Sequence, residues 1–235
     1  MKIKLKFIVI IIFFLTIIIS KSYSYTAHYK NFKKIEMDIY RNGELIGFSI
    51  YEFINNGNIL EVINKTEFKV KVLGVKLFSI NSIGKEKYEN DQLIEFKSET
   101  LQNRKKKFVN LKFDQQLKIF KIVGSSYEGT ANKNNIVGNW WNHKILTATS
   151  QISPLSGSVK QQEVTFISRE IININGKNFE VDLFKLKSTD DNLEADKRLD
   201  FDIWYDSKNN IIVKVEYNRL GKWQYILKNI KTSLN

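Results

Sequence analysis

The chain has 235 residues, no cysteine, two histidines and a formal net charge of +12. A hydrophobic content of 43%, with 13% aromatic residues, suffices for a core and excludes a disordered chain. The lack of Cys excludes disulfides, thiolate chemistry and a lipidated N-terminal cysteine, and His28 and His143 alone cannot make a multi-histidine metal site.

Lys2, Lys4 and Lys6 precede an apolar run from Phe7 to Ile19, broken only by Thr16, and Ser20-Lys21-Ser22-Tyr23-Ser24 comes next. A positive start, a short apolar stretch and a small-residue exit have the form of a secretory signal peptide. As a helix, Leu5 to Ile19 would span about 22 Å, short of a hydrocarbon core of about 30 Å. The expectation is a signal peptide over 1–24 and a periplasmic or secreted protein starting at Tyr25. Cleavage one step earlier, after Ser22, also satisfies the small-residue rule, and an uncleaved inner-membrane anchor is the alternative. The leader carries four lysines (Lys2, Lys4, Lys6, Lys21) and no acid, so its removal leaves +8. The remaining lysines are scattered among abundant Ile and Asn. An exported chain of this kind is not expected to bind nucleic acid, whereas an anionic membrane surface or an envelope protein remains open as a partner.

Beyond the leader, period-two alternation dominates the chain. Asn42-Gly43 between two apolar runs predicts a two-residue hairpin. Asn55-Asn56-Gly57-Asn58 and Glu89-Asn90-Asp91 predict longer loops. In Thr66 to Val72, Phe68, Val70 and Val72 face one way and Glu67, Lys69 and Lys71 the other. Arg104-Lys105-Lys106-Lys107 reads as a basic turn between Gln92–Leu101 and Phe108–Phe113, able to meet anionic headgroups or an acidic partner.

The alternation lapses between Gly124 and Gly157. Gly124 to Gly129 and Asn132 to Asn135 read as loops. Val137, Trp140, Trp141, Lys144 and Ile145 approach helical spacing, which predicts a short helix or two within 136–148. Strands then resume. Asn175-Gly176 predicts a second tight hairpin. Phe179, Val181 and Leu183 are in phase, whereas Phe184 and Leu186 are not, which predicts a β-bulge near Leu183. Asp190, Asn192, Glu194 and Asp196 alternate like calcium ligands, but Ala195 and Phe201 stand where a calcium loop needs Gly and Glu, so a solvated acidic loop is expected. Ser207 to Asn210 joins the Asp202–Asp206 run to Ile211–Tyr217, and Trp223, Tyr225 and Leu227 share a face. The fold expected is all-β with minor α: one domain over 25–235, an antiparallel meander forming a curved sheet, half-barrel or barrel, with a short helical plug from an insert near 124–157.

The segments Asn139 to Leu146, Gln151 to Gly157, Asp202 to Val215 and Tyr40 to Gly47 resemble those of an uncharacterised family of exported proteobacterial proteins, of the domain-of-unknown-function 6134 type. The resemblance covers most of the mature chain. It implies an antiparallel barrel or half-barrel reminiscent of periplasmic lipoprotein carriers, and no catalytic residues.

Trp140, Trp141 and His143 form the densest candidate cluster, with adjacent indoles able to line a cavity mouth or to fill a core. Trp204, Tyr205 and Trp223 are placed on C-terminal strands, with Trp204 on one face and Phe201, Ile203 and Tyr205 on the other. No nucleophile elbow, phosphate loop or zinc helix is present. These six residues are the candidate ligand-binding set, with no cofactor, no metal and no catalytic role expected. The function expected is a non-catalytic module that binds or carries a lipid or another apolar molecule. The alternative is a structural or protein-interaction module of the envelope with a solid core.

Overall fold

The computed structural model describes residues 25–72, 75–194 and 197–233. The leader lies outside the described residues, as do Ala195 and Asp196 of the acidic loop. Among the described residues no helix is long and apolar enough to cross a membrane.

A 3-10 segment at Tyr25–Asn31 leads into the strands β1 (Phe32–Arg41), β2 (Glu44–Asn56), β3 (Ile59–Val72), β4 (Val75–Glu89), β5 (Gln92–Gln102), β6 (Lys105–Asp114), β7 (Ile119–Gly124) and β8 (Tyr127–Asn132). After β9 (Ile136–Val137) comes a 3-10 turn at His143–Leu146, then β10 (Ser150–Ile152), β11 (Val159–Ile174), β12 (Lys177–Ser188), β13 (Asp200–Asp206), β14 (Ile211–Asn218) and β15 (Lys222–Thr232). All fifteen strands belong to one sheet, ordered 8-7-6-5-4-3-2-1-15-14-13-12-11-10-9. Every pairing is antiparallel except that of β9 with β10. The chain therefore starts mid-sheet, runs out to one edge, crosses to the other and returns to pair β15 with β1.

That crossing fixes the shape. β8 and β9 lie at opposite edges of the sheet, yet only residues 133–135 separate them in sequence. Four Cα steps reach about 15 Å at most, so the sheet must curl until its edges nearly meet. The result is an open barrel.

The Asn-Gly hairpins form as expected. Asn42 and Gly43 have φ of 50° and 82°, and Asn175 and Gly176 have 52° and 80°, the left-handed pair that a two-residue turn between twisted strands requires. Register defines two ends. The β1–β2, β3–β4, β5–β6 and β14–β15 turns share one end, here the rim, as Gly47 opposite Phe68, Ile80 opposite Gln102 and Arg41 opposite Trp223 require. The 3-10 segment at Tyr25–Asn31 and the β2–β3, β4–β5 and β13–β14 turns form the base.

Inside, Ile35, Met37 and Ile39 of β1 are buried in strict alternation, as are Tyr51 and Phe53 of β2, Leu60 and Val62 of β3, and Val109 and Leu111 of β6. The plug is shorter than the spacing suggests. Ile136 and Val137 are strand, paired with Gln151 and Ile152, and helix is confined to one 3-10 turn at His143–Leu146. Side chains replace the missing helical bonds: Gln162 Nε2 donates to the carbonyls of Ile145 and Ala148 at 2.9 and 3.0 Å, and the Asn142 side chain caps Lys144 N at 3.0 Å.

Two further expectations are revised. Tyr127 to Asn132 is a strand despite its loop-like composition, because six backbone pairs with β7 hold it at the sheet edge. The irregularity beside Leu183 lies on the partner strand: Phe166 opposes Phe184 and Ser168 opposes Leu183, leaving Ile167 as the extra residue. β12 itself keeps its alternation and is covered on both faces. Phe179, Val181 and Leu183 pack with Trp204, while Leu186 packs with Ile203 and Ile145.

Candidate functional site

Near the rim the interior is not filled. A cavity of about 310 Å³ lies between β2–β4, β14–β15 and the plug. Its apolar wall comprises Phe68, Phe78, Ile80, Trp140, Tyr217, Trp223 and Tyr225. The indole of Trp223 stacks on Tyr217 with centroids 5.8 Å apart and meets Phe68 edge-on at 5.3 Å. Trp140 meets Phe201 edge-on at 5.0 Å. The exposed side chains of Leu155 and Arg219 border the mouth.

The floor is polar. Ser49, Tyr51, Asn64, Thr66 and Ser82 face the cavity at the inward positions of β2, β3 and β4. Ser49 Oγ and Thr66 Oγ1 are 2.8 Å apart, Asn64 Nδ2 donates to Ser49 Oγ at 3.1 Å, and Ser82 Oγ is 2.6 Å from Thr100 Oγ1. Burial pushes the Tyr51 hydroxyl up to about 12, so it stays a neutral donor at any physiological pH. Thr66 Oγ1 also donates to Asn64 Oδ1 at 3.3 Å and Asn64 Nδ2 to the Ile50 carbonyl at 3.2 Å, so what remains for a ligand is acceptor capacity on Thr66 Oγ1 and Asn64 Oδ1. The site can therefore take a small molecule with an apolar body and one hydrogen-bonding end.

Beneath this floor a carboxylate sits among buried core residues. Glu86 is 1% exposed. Its Oε1 accepts from Asn139 Nδ2 at 2.6 Å and from Trp141 Nε1 at 2.9 Å, and its Oε2 accepts from the Tyr88 hydroxyl at 2.5 Å. Burial raises its pKa, and the three donors oppose that only in part. Asn139 and Trp141 belong to the plug, so Glu86 is the polar pin that fastens the plug to β4.

At the base, the Tyr29 hydroxyl donates to the Trp141 carbonyl at 2.8 Å and lies 2.7 Å from His143 Nδ1. One hydroxyl proton cannot serve both, so the tautomer of the neutral His143 ring decides whether Nδ1 accepts from Tyr29 or donates to it. Burial pushes the His143 imidazole down to about 4, aided by His28 and Lys144 nearby. The ring is 5.8 Å from both His28 and Tyr205.

The six residues singled out from the sequence thus fall in four places. Trp140 and Trp223 line the cavity. Trp141 is 1% exposed and belongs to the Glu86 pin. His143 and Tyr205 sit at the base, where the Tyr205 hydroxyl donates to Asn210 Oδ1 at 2.6 Å. Trp204 lies on the opposite face of β13, with its indole N–H on Glu170 and the Lys214 ammonium 3.9 Å above its ring. The residues missed are Ser49, Asn64, Thr66, Ser82 and Glu86. Their signal is phase: Ile80, Ser82, Gly84, Glu86 and Tyr88 alternate on the inward side of β4, so a polar or acidic residue there must be buried and partnered.

Among solved structures, a β-barrel-like protein of the domain of unknown function DUF1849 from Brucella abortus is similar in fold. Its TM-score is 0.62 at 10% identity, covering 86% of this chain and 98% of that one. A "putative exported protein with YmcC-like fold" from Bacteroides fragilis aligns at TM-score 0.35 and 14% identity, over 86% of this chain and 99% of the other. A "putative lipoprotein" from Parabacteroides distasonis gives TM-score 0.35 and 14% identity, over 86% and 96%. No curated protein matches the sequence. The open barrel is thus shared with a solved β-barrel-like protein, and the sequence from residue 37 to residue 228 matches the Domain of unknown function (DUF6134), so the chain belongs to that family.

Proposed function

We propose that this protein is an exported, non-catalytic binding module that holds a small amphipathic or lipid-like molecule in the rim cavity. The observation that supports it is the cavity itself: about 310 Å³, walled by Phe68, Phe78, Trp140 and Trp223 and floored by hydroxyls and an amide. That size is at the lower end for small-molecule pockets. The ligand's apolar body lies against the indoles, and its polar end meets Ser49, Asn64 and Thr66. Burying about 200 Å² of ligand apolar surface would supply roughly 5 kcal/mol before the costs of binding. The leader supports delivery to the periplasm or outside.

The test is extraction and mass spectrometry of protein purified under native conditions. A bound apolar molecule should be recovered from the wild type and lost from Ser82→Leu, which fills the cavity from its floor, provided that variant melts as a folded protein. Wild type that yields nothing above a solvent blank, and that fails to bind a fluorescent fatty-acid probe, would overturn this reading in favour of a solid interaction module.

A further inference from the structure

The outer surface at the rim has a charge and hydrophobic pattern that the cavity does not explain. Residues 68–84 contain Lys69, Lys71 and Lys76 and no acid, and residues 100–110 contain Arg104, Lys105, Lys106 and Lys107 and no acid. These stretches form the neighbouring β3–β4 and β5–β6 tips, tied together by Asn103 N donating to the Ser79 carbonyl at 2.8 Å and Ser79 N donating to Asn103 Oδ1 at 2.9 Å. Lys69, Lys71 and residues 104–106 are exposed, and among the described residues no carboxylate pairs with them.

Apolar side chains stand among these cations. Val75 and Leu77 are 63% and 58% exposed at the β3–β4 tip. Behind them Ile83, Leu101 and Phe108 line an outer hollow of about 660 Å³, with Glu99 as the one carboxylate in its lining and Glu67 on the adjoining strand. Cations around protruding aliphatic side chains are the complement of an anionic bilayer surface: the charges sit over headgroups and the aliphatics enter the interface. An acidic protein would match the charge but would leave Val75 and Leu77 in need of a fitted apolar socket.

We propose that the β3–β4 and β5–β6 tips dock this protein on an anionic phospholipid surface, with Lys69, Lys71 and Arg104 to Lys107 over the headgroups and Val75 and Leu77 in the interface. Docking in this pose turns the rim, and with it the Leu155–Arg219 mouth, toward the membrane. The docking itself does not require that the cavity be occupied.

The test is co-sedimentation with vesicles, using protein expressed from the full chain and purified in the form the cell exports. Binding is expected to two-to-one phosphatidylcholine–phosphatidylglycerol vesicles, absent with phosphatidylcholine alone and weakened by salt. At about fivefold per lysine, the triple change Lys105→Gln, Lys106→Gln and Lys107→Gln should weaken it roughly 100-fold. Lys133→Gln with Lys208→Gln, at the base, should leave it unchanged. Val75→Ser with Leu77→Ser should abolish the part of binding that survives high salt. Ser82→Leu, which fills the cavity from its floor, should not change vesicle binding, which separates this result from the ligand proposal. Equal binding to neutral and anionic vesicles, or equal losses in the rim and base variants, would overturn the docking. So would cross-linking of the same lysines to an acidic protein without vesicle binding.

Discussion

Glu86 offers the sharpest test of how the barrel holds its plug. Glu86→Ala leaves Tyr88 O–H, Asn139 Nδ2 and Trp141 Nε1 without their acceptor in a core that excludes water. At about 1–3 kcal/mol per orphaned donor, the loss is about 4 kcal/mol even near the lower bound. For a chain of this size that lowers Tm by roughly 8–16 °C. Glu86→Gln keeps one acceptor oxygen and the shape, and should cost about 1 kcal/mol at acidic pH. The two variants also differ in their pH dependence. Burial raises the Glu86 pKa above its usual 4.5. The folded state therefore holds a proton that the unfolded state releases, and this contribution is complete below pH about 4.5 and lost as pH climbs through the raised value. Each unit of that displacement is worth about 1.4 kcal/mol. Thermal melts across pH 4–8 should show Glu86→Gln gaining on the wild type as pH rises, until it equals or exceeds it. A constant gap between the two across that range would refute the buried, upward-shifted carboxyl. A Glu86→Ala loss under about 1 kcal/mol would refute its role as the plug's pin.

The base should respond to acid in the opposite sense. The His143 pKa lies near 4 in the folded protein, below its usual 6.5, so its contribution is present above pH 6.5 and lost as pH falls toward 4, by up to about 3 kcal/mol. His143→Gln should flatten that acid limb in the same melts, and an unchanged limb would show that the ring is not held neutral. Gly47 faces Phe68 so closely that an added Cβ would lie 2.0 Å from the Glu67 carbonyl oxygen and 2.5 Å from Phe68 Cβ. Gly47→Ala must therefore push β2 from β3 and should cost about 2–3 kcal/mol in urea unfolding, whereas helix-scale gains from Gly→Ala would contradict the close approach.

The sheet was legible because its strands are half buried. Val213 and Val215 against Lys214 and Glu216, or Phe68 and Val70 against Lys69, state in sequence which side faces the core. The Asn-Gly turns were legible for a backbone reason, since few residues other than Asn and Gly tolerate positive φ. The site was less so. Trp140 and Trp141 are adjacent in sequence, but the plug turns one indole toward the cavity and the other into the core. That division depends on where β9 pairs with β10, a contact with no local signature. β8 was hidden because an edge strand can be held by backbone pairing with little help from its side chains. For Glu86 the one signal is its phase in β4, which places it inside despite its charge.

The pairing of β1 with β15 has a consequence for how the chain must be made. Asp38 meets Lys228 across 190 residues of sequence. A chain that emerges N-terminus first presents β1 early, with one side satisfied by β2 and the other bare until the last strand arrives. Contacts of such separation make folding slow, and an unpaired edge of that kind invites association with other chains. Held by a chaperone or refolded at low concentration, the protein should therefore give its best yield. Truncation within β15 should leave a protein that aggregates through β1.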